Sequence, residues 1–461
     1  MKSWMKRAFV VQTILLVAAA TLVVLMYQQR AQAGRTFEQL ELFSEVLSKV
    51  QTVYVDEPDV DKIMVGAING MIAELDPHSE YMPPTAFKEM KVQTTGEFGG
   101  LGIEITMKEG VLTVVSPIED TPAYRAGMQA NDQITHVDGQ AIKGLSLEEA
   151  VEKLRGKVGS EVKITVVREG TRPFDLMIVR DKIRVKSVKW SLEDGDIGYI
   201  KLLQFKQRST EELIEALNQV LASKPVGLIL DLRNNPGGLL DQAVGVADVF
   251  LKEGKVVYTN GRTRDSKMEF FAADDGSEPS LPLVVLINGG SASASEIVAG
   301  ALHDHKRALL VGARTFGKGS VQTILPLSNN GGLRVTTALY YTPSGISIQA
   351  AGIKPDIEVE AFPGANELML REENIDGHFE NRSGIGQAPL TKEEIQKKIE
   401  EQRDRIQQFR EGKLEDTQLK RAKELIRSIE IFGPSLNALS GLAASSPTTA
   451  APAQATGSAP R

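Results

Sequence analysis

Cysteine is absent from the 461 residues of this sequence. Disulfides, thiolate zinc sites, cysteine nucleophiles and a lipid anchor attached to cysteine are therefore excluded. Histidine is also scarce, so chemistry that depends on histidine has few candidates. The five histidines are His78, His136, His303, His305 and His378.

A surplus of basic residues is likewise absent, since the formal net charge is −7. Nucleic acid is therefore not expected as a partner, because phosphate binding needs a basic surface. The hydrophobic share of 42% and the charged share of 25% are ordinary for a soluble globular protein. The length predicts two or three domains rather than one core.

A long uncharged apolar run stands at the amino terminus. The basic segment Met1–Arg7 precedes the run Ala8–Met26, a pattern typical of a bacterial export signal. Ala31-Gln32-Ala33 offers a cleavage site, but the run is also barely long enough to span a bilayer. We therefore expect a periplasmic protein, with 1–33 either a cleaved signal or an anchor in the inner membrane.

Changes in sequence texture predict the domain organisation. Helical spacing in Phe37–Tyr54 and Val60–Leu75 predicts a helical N-terminal region, 34–95. Alternating strands and a capping box at Ser146–Glu149 predict a mostly β domain, 96–182. In 183–365, continuous apolar strands alternate with helices, which predicts an α/β core with parallel strands.

The remaining residues predict a helical C-terminal region, 366–442. Thr391–Glu394 is a capping box, and a short heptad-like seam follows it. A second helix is expected from about Glu415 to Phe432. These terminal helices either mediate self-assembly or pack back on their own chain. The Ala/Pro/Ser/Thr-rich tail, 443–461, is expected to be disordered. The seam residues are Ile395, Ile399, Gln402, Ile406 and Phe409.

The densest chemical signal lies between Ile287 and Gln322. Ser291-Ala-Ser-Ala-Ser-Glu296 follows a predicted buried strand and opens a helix, where free amides stabilise a developing oxyanion. Lys318 stands between two glycines after the next strand, and it becomes a base only if desolvation lowers its pKa. Gln322, four residues on, can orient the lysine amine. Serine and lysine are a known catalytic pair.

Three other interpretations compete with this one. Gly312–Gly319 nearly matches a nucleotide-binding P-loop, but Gly319 replaces the required hydroxyl residue. His303 and His305 lie at the far end of the predicted helix, roughly 15 Å from Ser293 by helical rise, so neither reaches its hydroxyl. The third interpretation makes the serines an ordinary helix start and Lys318 a loop residue. Residue chemistry alone leaves that last alternative open.

The chain contains four motifs in order: Asp231–Gly238, Ser291–Glu296, Thr315–Gln322 and Gly352–Asp356. Together these ordered motifs resemble the carboxyl-terminal processing (tail-specific) peptidase family, and the likeness covers roughly Phe37 to Glu360. The resemblance implies a ClpP/crotonase-like α/β core with an inserted PDZ-like domain, and no metal or cofactor. It implies Ser293 as the nucleophile, Lys318 as the base and Gln322 as the residue that orients it. Ala294 and either Gly237 or Gly238 would form the oxyanion hole.

The Gly-Gly-Leu-Gly turn before the first strand of the β domain resembles the carboxylate-binding loop of PDZ domains. Successive amides in such a loop hold a terminal carboxylate, and the adjoining strand pairs with an extended peptide. Arg155 resembles a residue that couples the PDZ domain to the protease, although a solvated charge explains it equally well. The expected peptide-binding residues are Gly99, Gly100, Leu101, Gly102, Ile103, Val151 and Leu154.

The resemblance thus implies a serine endopeptidase that cleaves exported proteins near their C-termini after the PDZ domain binds an unstructured tail. A homo-oligomer built through the terminal helices and an adaptor protein are both conceivable. Two rival functions remain open at this level. One is a PDZ-bearing scaffold or chaperone with a silent protease core, and the other is an α/β hydrolase that acts on small esters.

Overall fold

The computed structural model describes residues 2–365, 371–381 and 391–444. Chain contacts divide it into two units, Met1–Glu74 and Leu75–Arg461. Most of the tail predicted to be disordered lies outside the described residues, as do parts of the predicted C-terminal helical region.

Ten α-helices occur in the described residues. They are α1 (Lys2–Val53), α2 (Val60–Ala73), α3 (Pro84–Thr95), α4 (Pro122–Arg125), α5 (Leu147–Leu154), α6 (Ser209–Ala222), α7 (Leu240–Asp248), α8 (Ala294–Asp304), α9 (Lys392–Arg410) and α10 (Thr417–Ala444).

Nineteen β-strands occur in the same residues. They are β1 (Glu80–Met82), β2 (Glu97–Gly100), β3 (Ile103–Lys108), β4 (Val111–Pro117), β5 (Gln133–Val137), β6 (Gln140–Ala141), β7 (Glu161–Val167), β8 (Phe174–Val179), β9 (Asp181–Arg184), β10 (Val188–Glu193), β11 (Ile197–Leu202), β12 (Gly227–Asp231), β13 (Gly254–Gly261), β14 (Glu269–Ala272), β15 (Leu283–Ile287), β16 (Leu309–Gly312), β17 (Ser320–Pro326), β18 (Gly332–Tyr341) and β19 (Ile357–Glu358).

The α/β core is built on a six-stranded sheet with the order β10-β11-β12-β15-β16-β19. The five strands β11, β12, β15, β16 and β19 are parallel, and β10 adds an antiparallel edge. β12 and β15 are buried at every residue, because both faces of the sheet are covered. Parallel strands place their carboxyl ends on one edge, where the loops after β12, β15 and β16 meet.

Each face of this sheet has its own apolar layer. Leu228, Leu230 and Leu232 belong to one layer, which packs with helices α6, α7 and α8. Ile229 and its neighbours on the opposite face pack against Ala422 and Ile426 of α10. The C-terminal helix therefore packs back on its own chain over this stretch. This contact supports the second of the two alternatives for α10.

Hydrogen bonds of Arg233, in the loop after β12, connect this loop to the start of α10. The Arg233 guanidinium makes two bonds to buried Asp231, with Nε 3.0 Å from Oδ1 and Nη2 2.8 Å from Oδ2. Its remaining Nη1 lies 2.8 Å from Asp416 Oδ1 and 3.1 Å from Gln418 Oε1. Burial without a partner would be costly for either charge, so the pair stabilises both the loop and the helix start.

A second, antiparallel sheet was not predicted from the sequence. Its strand order is β1-β18-β13-β14, and β17 also pairs with β18. β17 and β18 form a long hairpin in which Gln322 lies opposite Thr336. β1 comes from the segment that follows the N-terminal unit, and it pairs with the other edge of β18.

The mostly β domain forms a sheet of order β3-β4-β5-β7-β8, with β6 joined to β5. Its core includes Leu101, Val114, Ile164 and Leu154 of α5. The predicted capping box is confirmed, since Ser146 Oγ accepts from Glu149 N and Glu149 Oε2 accepts from Ser146 N. β3 pairs with β4 alone among the described strands, which leaves its other edge open.

The N-terminal unit consists of α1 and α2. Several large apolar side chains of α1 are exposed, among them Phe37 (76%), Leu40 (58%) and Val46 (52%). No helix within the described residues is both long and apolar enough to cross a membrane. Most side chains of the run Ala8–Met26 lie outside the described part of the structure. The export signal or anchor therefore stays a prediction.

Candidate active site

Ser293 stands at the turn between β15 and α8, at the carboxyl edge of the parallel sheet. Its φ of +54° lies in the left-handed region, which a non-glycine residue adopts only when its surroundings hold it there. Strain of this kind concentrates at functional sites. The turn presents the side chain at the amino end of α8, although no G-x-S-x-G sequence marks it.

The structure distinguishes the three serines of this segment. Ser291 and Ser295 are fully buried, and their hydroxyls donate to the carbonyl oxygens of Leu232 (2.8 Å) and Asn235 (2.9 Å). Ser293 is half-buried, and within the described chain its hydroxyl makes no hydrogen bond to protein. The outer serines thus attach the helix start to the neighbouring loop, whereas the hydroxyl of the middle serine is not engaged in this way.

Two backbone amides near Ser293 remain without an acceptor in the described residues. One belongs to Ala294, the first residue of α8, and the other to Gly238. The Gly237 amide is engaged, because it donates to Asn235 Oδ1 at 2.9 Å. A β-carbon on Gly237 would lie 2.9 Å from Ser293 Cβ and 3.0 Å from the Ala294 nitrogen. Gly237 therefore provides room beside the serine, while Gly238 supplies the available N–H.

Lys318 lies in the loop between β16 and β17, next to the serine turn. Burial lowers the pKa of its amine, and the nearby positive charge of Arg334 lowers it further. The carboxylates of Glu372, Asp76 and Glu296 act in the opposite direction. Among the described residues, no hydrogen bond ends on its Nζ. A half-buried amine with a depressed pKa and no bound acceptor is suited to taking a proton.

Glu296 joins the serine turn to the lysine loop. It is fully buried, and its Oε2 accepts from the backbone nitrogens of Ser293 (2.7 Å) and Lys318 (2.9 Å). Its Oε1 accepts from Thr315 Oγ1 (2.5 Å) and the Gly317 nitrogen (2.7 Å). The two backbone nitrogens that share Oε2 are therefore within two hydrogen-bond lengths of each other.

Burial raises the pKa of Glu296 to about 7, and the four hydrogen bonds pull that pKa the other way. No sequence pattern gave Glu296 a role in the site. A glutamate at the third position of a helix is a common capping residue. The sequence around Glu296 therefore predicts only a capping role, and it does not predict the contacts with a loop some twenty residues away.

Gln322 lies on β17, and within the described residues no hydrogen bond joins its side chain to Lys318. Its Nε2 donates to Ser320 Oγ at 3.0 Å and to Thr336 Oγ1 at 3.2 Å. No hydrogen bond within the described residues ends on its Oε1. The expected orienting role therefore stays a prediction.

The competing interpretations involved two histidines and a glycine-rich segment. In the structure, these residues form hydrogen bonds with groups other than the Ser293 hydroxyl. His303 Nε2 lies 3.1 Å from Asp356 Oδ1, and His305 Nε2 lies 2.7 Å from the Lys255 carbonyl oxygen, at the far end of α8. The amides of Gly317 and Lys318, which a P-loop would aim at phosphate, donate to the carboxylate of Glu296. Within the described chain no three acidic or histidine side chains form a group that could hold a metal ion.

The β domain carries a small cavity of about 100 Å³ between β3 and α5. Gly99 does not line it; its carbonyl oxygen accepts from the Gly156 nitrogen at 3.1 Å, and it pairs with Lys182 in the β2–β9 ladder. The Arg155 guanidinium lies 4.6 Å from the centre of the Phe98 ring at the cavity wall. The structure thus gives Arg155 a local stacking partner, and its coupling role stays a prediction. The lining residues are Phe98, Gly100, Leu101, Gly102, Ile103, Ile105, Val151, Leu154 and Arg155.

Comparison with known proteins finds matches for three parts of the chain. Residues 196–359 match the model of peptidase family S41, 113–168 match a PDZ domain, and 9–85 match the N-terminal domain of the activating protease CtpB. A carboxy-terminal-processing protease of Bartonella bacilliformis is 50% identical over 75% of this chain and 82% of its own. The carboxy-terminal processing protease CtpA of Bacillus subtilis is 36% identical over 78% of each chain.

A solved structure, a photosystem II D1 C-terminal processing protease, is 32% identical, with a TM-score of 0.41; the match covers 69% of this chain and 92% of that one. From the family match and the named relatives, the protein is a serine-type peptidase with a PDZ domain. The chain belongs to the carboxyl-terminal processing protease family. The resemblance seen in the sequence is thereby confirmed.

Proposed function

We propose that the protein is an endopeptidase that cuts exported proteins near their C-termini, with Ser293 as the nucleophile and Lys318 as its base. The observation that supports this proposal most directly is that the backbone nitrogens of Ser293 and Lys318 both donate to one oxygen, Glu296 Oε2. This oxygen fixes the backbones of Ser293 and Lys318 together, while the hydroxyl and amine of these residues remain unbonded in the described chain. The parallel sheet that presents them is consistent with a ClpP/crotonase-like core.

The chemistry follows from the atoms that remain available. The neutral amine of Lys318 takes the proton of the Ser293 hydroxyl while the Ser293 oxygen attacks the peptide carbonyl carbon. The amides of Ala294 and Gly238 donate to the resulting oxyanion. The protonated lysine then gives its proton to the leaving amine, and water releases the acyl-enzyme in a second cycle.

Covalent labelling together with a cleavage assay tests the assignment. A serine-directed inactivator should add one adduct to the intact chain, at Ser293, and should abolish cleavage of an unfolded protein substrate. An adduct on a different serine would contradict the choice of nucleophile. Cleavage restricted to small esters would favour a general hydrolase, and the absence of both labelling and cleavage would favour a scaffold.

Activity is expected to rise with pH through the neutral range. The base must be neutral to work, and burial puts the pKa of Lys318 below its ordinary value of 10.5, so the acid limb should lie below that pH. Glu296, whose pKa is raised to about 7, loses acceptor capacity when it is protonated, which lowers activity on the same side. A kcat/KM profile with a parallel melting curve checks this. Activity that falls as the pH rises, with the fold intact, would contradict the lysine base.

The PDZ domain is proposed to recruit the substrate tail. An extended peptide would add to the open edge of β3, with its terminal carboxylate at the Gly100–Gly102 loop. Gly102 has a φ of +77°, and a β-carbon there would lie 2.2 Å from Thr121 Cβ, so the loop requires glycine at this position. Val151 on α5 forms the opposite wall.

A charge placed on that wall should weaken tail binding. Val151→Glu is expected to raise KM about tenfold or more for a substrate with a free C-terminus, because like charges repel at short range. KM for the C-terminally amidated substrate should change much less. Val179→Glu, at an exposed valine (52%) on β8 outside the cavity, is the matched control. An equal effect of both variants, or no preference of the unmodified enzyme for a free carboxylate, would contradict the tail-binding proposal.

Export to the periplasm, with or without retention in the membrane, is proposed from the N-terminal sequence, as is self-association through the terminal helices. The exposed apolar residues of α1 support the latter, whereas α10 already covers its own core. Light scattering of the chain with and without residues 1–74 tests the role of the N-terminal unit. An unchanged oligomeric mass would remove that unit from the assembly proposal.

A further inference from the structure

A chain of polar contacts runs from Asp76 to the Gln322 side chain. Asp76 is 5% exposed, and its carboxylate accepts from the backbone nitrogens of His78 (2.8 Å) and Ser79 (2.9 Å). It also accepts from Ser79 Oγ (2.7 Å) and from Thr336 Oγ1 (3.1 Å). Four donors thus hold the Asp76 carboxylate in place.

The direction of each hydrogen bond in this chain follows from the chemistry of its groups. An ionised carboxylate only accepts, so the single hydroxyl proton of Thr336 must point to Asp76. The oxygen of Thr336 is then left to accept, and it can pair only with the amide nitrogen of Gln322, 3.2 Å away. Ser320 Oγ accepts the other Nε2 proton at 3.0 Å. The carboxamide of Gln322 is therefore held with its nitrogen bound and its oxygen available.

This chain lies beside the base. Asp76 is one of the charges close enough to Lys318 to affect its pKa, together with Arg334, Glu372 and Glu296. Gln322 and Thr336 are directly opposite each other on β17 and β18, so the threonine can act on the amide without reaching the lysine itself.

We propose that Asp76 and Thr336 are positioning residues, which orient the Gln322 amide so that its oxygen, and not its nitrogen, faces the Lys318 amine. This inference rests on the proposed function of Lys318 and Gln322. The amide oxygen accepts an N–H of the amine and directs the nitrogen lone pair toward Ser293. A reversed amide would donate to that lone pair and occupy the position that must receive the serine proton.

Thr336→Val tests the proposal, because valine keeps the shape and strand preference of threonine but has no hydroxyl. We expect kcat to fall about 10- to 100-fold with KM little changed, since a misdirected base is costly even at small displacements. Because the reversed amide favours the neutral amine, the acid limb of the kcat profile should also move to lower pH. Thr336→Ser should restore most of the activity.

Two further variants separate positioning from a general structural effect. Thr337→Val removes a neighbouring hydroxyl on β18, which pairs with Thr323 Oγ1 at 2.8 Å, and it should leave kcat unchanged. Combining Thr336→Val with Gln322→Ala should cost no more than Gln322→Ala alone, because the threonine acts through the glutamine. Additive losses in the double variant, or equal losses in Thr336→Val and Thr337→Val, would overturn the proposal.

Failure of the underlying function gives a different result. If Ser293→Ala or Lys318→Ala kept full activity, the proposed catalytic pair would be wrong whatever the threonine variants do. If those variants were inactive while Gln322→Ala kept full activity, only the Gln322 role and the positioning proposal would be overturned.

Discussion

Replacing Ser293 by alanine is expected to lower turnover of an unfolded protein substrate by about 10⁴-fold or more, and replacing Lys318 by methionine should do the same. Both side chains lack hydrogen bonds in the described structure, so their removal leaves no buried partner unsatisfied. Melting temperatures should therefore change little. Turnover measured with one substrate, alongside thermal unfolding, checks both expectations.

Lys318→Arg sharpens this experiment because it keeps the positive charge. Arginine stays protonated at every accessible pH, so it cannot act as a base, and the variant should be as inactive as Lys318→Met. Lys252→Met, at a lysine whose side chain is 71% exposed, is the control for loss of a lysine. Substantial turnover by Lys318→Arg would show that the lysine serves only as a fixed charge.

Glu296→Gln is expected to reduce both turnover and stability. The four groups around Glu296 all donate to it, and a glutamine NH₂ would face two of them with further donors. We expect kcat to fall by about 100-fold or more as the serine turn and the lysine loop separate. The free energy of unfolding should fall by about 2 to 4 kcal/mol, the usual cost of leaving buried donors unpaired.

The matched control for this change is Glu212→Gln. Glu212 Oε2 also accepts two donors, the Ser187 nitrogen (2.6 Å) and Ser187 Oγ (2.7 Å), away from the site. That variant should lose some stability and keep its kcat. If Glu296→Gln lost stability but kept wild-type kcat, the carboxylate would be a core residue and not the link between nucleophile and base.

The pH dependence of stability gives a second measure of Glu296. Its pKa is raised from 4.5 to about 7 in the folded chain, so the folded state binds the proton more tightly than the unfolded state. The resulting stabilisation is fully present below about pH 4.5 and is lost as the pH rises through 7. Acidification across this window thus favours folding and opposes activity. In Glu296→Gln this contribution should vanish from the unfolding curves.

Local sequence patterns predicted most elements of the core because each of them carries its own signal. The apolar runs at Val226–Leu230 and Leu283–Ile287 became β12 and β15, and the capping boxes at Ser146 and Thr391 open α5 and α9. The hairpin of β17 and β18 was missed. Its strands are only partly buried and lack continuous apolar runs, so they are stabilised by pairing with each other and with β1 and β13.

The different surroundings of the three serines before and in α8 show the same limit of sequence patterns. In the sequence, Ser291, Ser293 and Ser295 are equivalent small polar residues, and only a family resemblance chose the middle one. In the structure, the loop after β12 accepts the outer two hydroxyls and leaves the middle one unbonded. The proposal of Gly238 over Gly237 as an oxyanion donor rests on the local geometry of the turn, in which the Gly237 amide donates to Asn235 Oδ1.

The sequence by itself determined the residue types of the site, the absence of cysteine chemistry and the order of the apolar strands. Those features depend on composition and on periodicities of a few residues. Only the tertiary structure decided that Glu296 joins the serine turn to the lysine loop, and that Asp76 reaches Gln322 through Thr336. These networks include contacts between residues 19 and 260 positions apart, and no local pattern encodes which buried donors meet which acceptor.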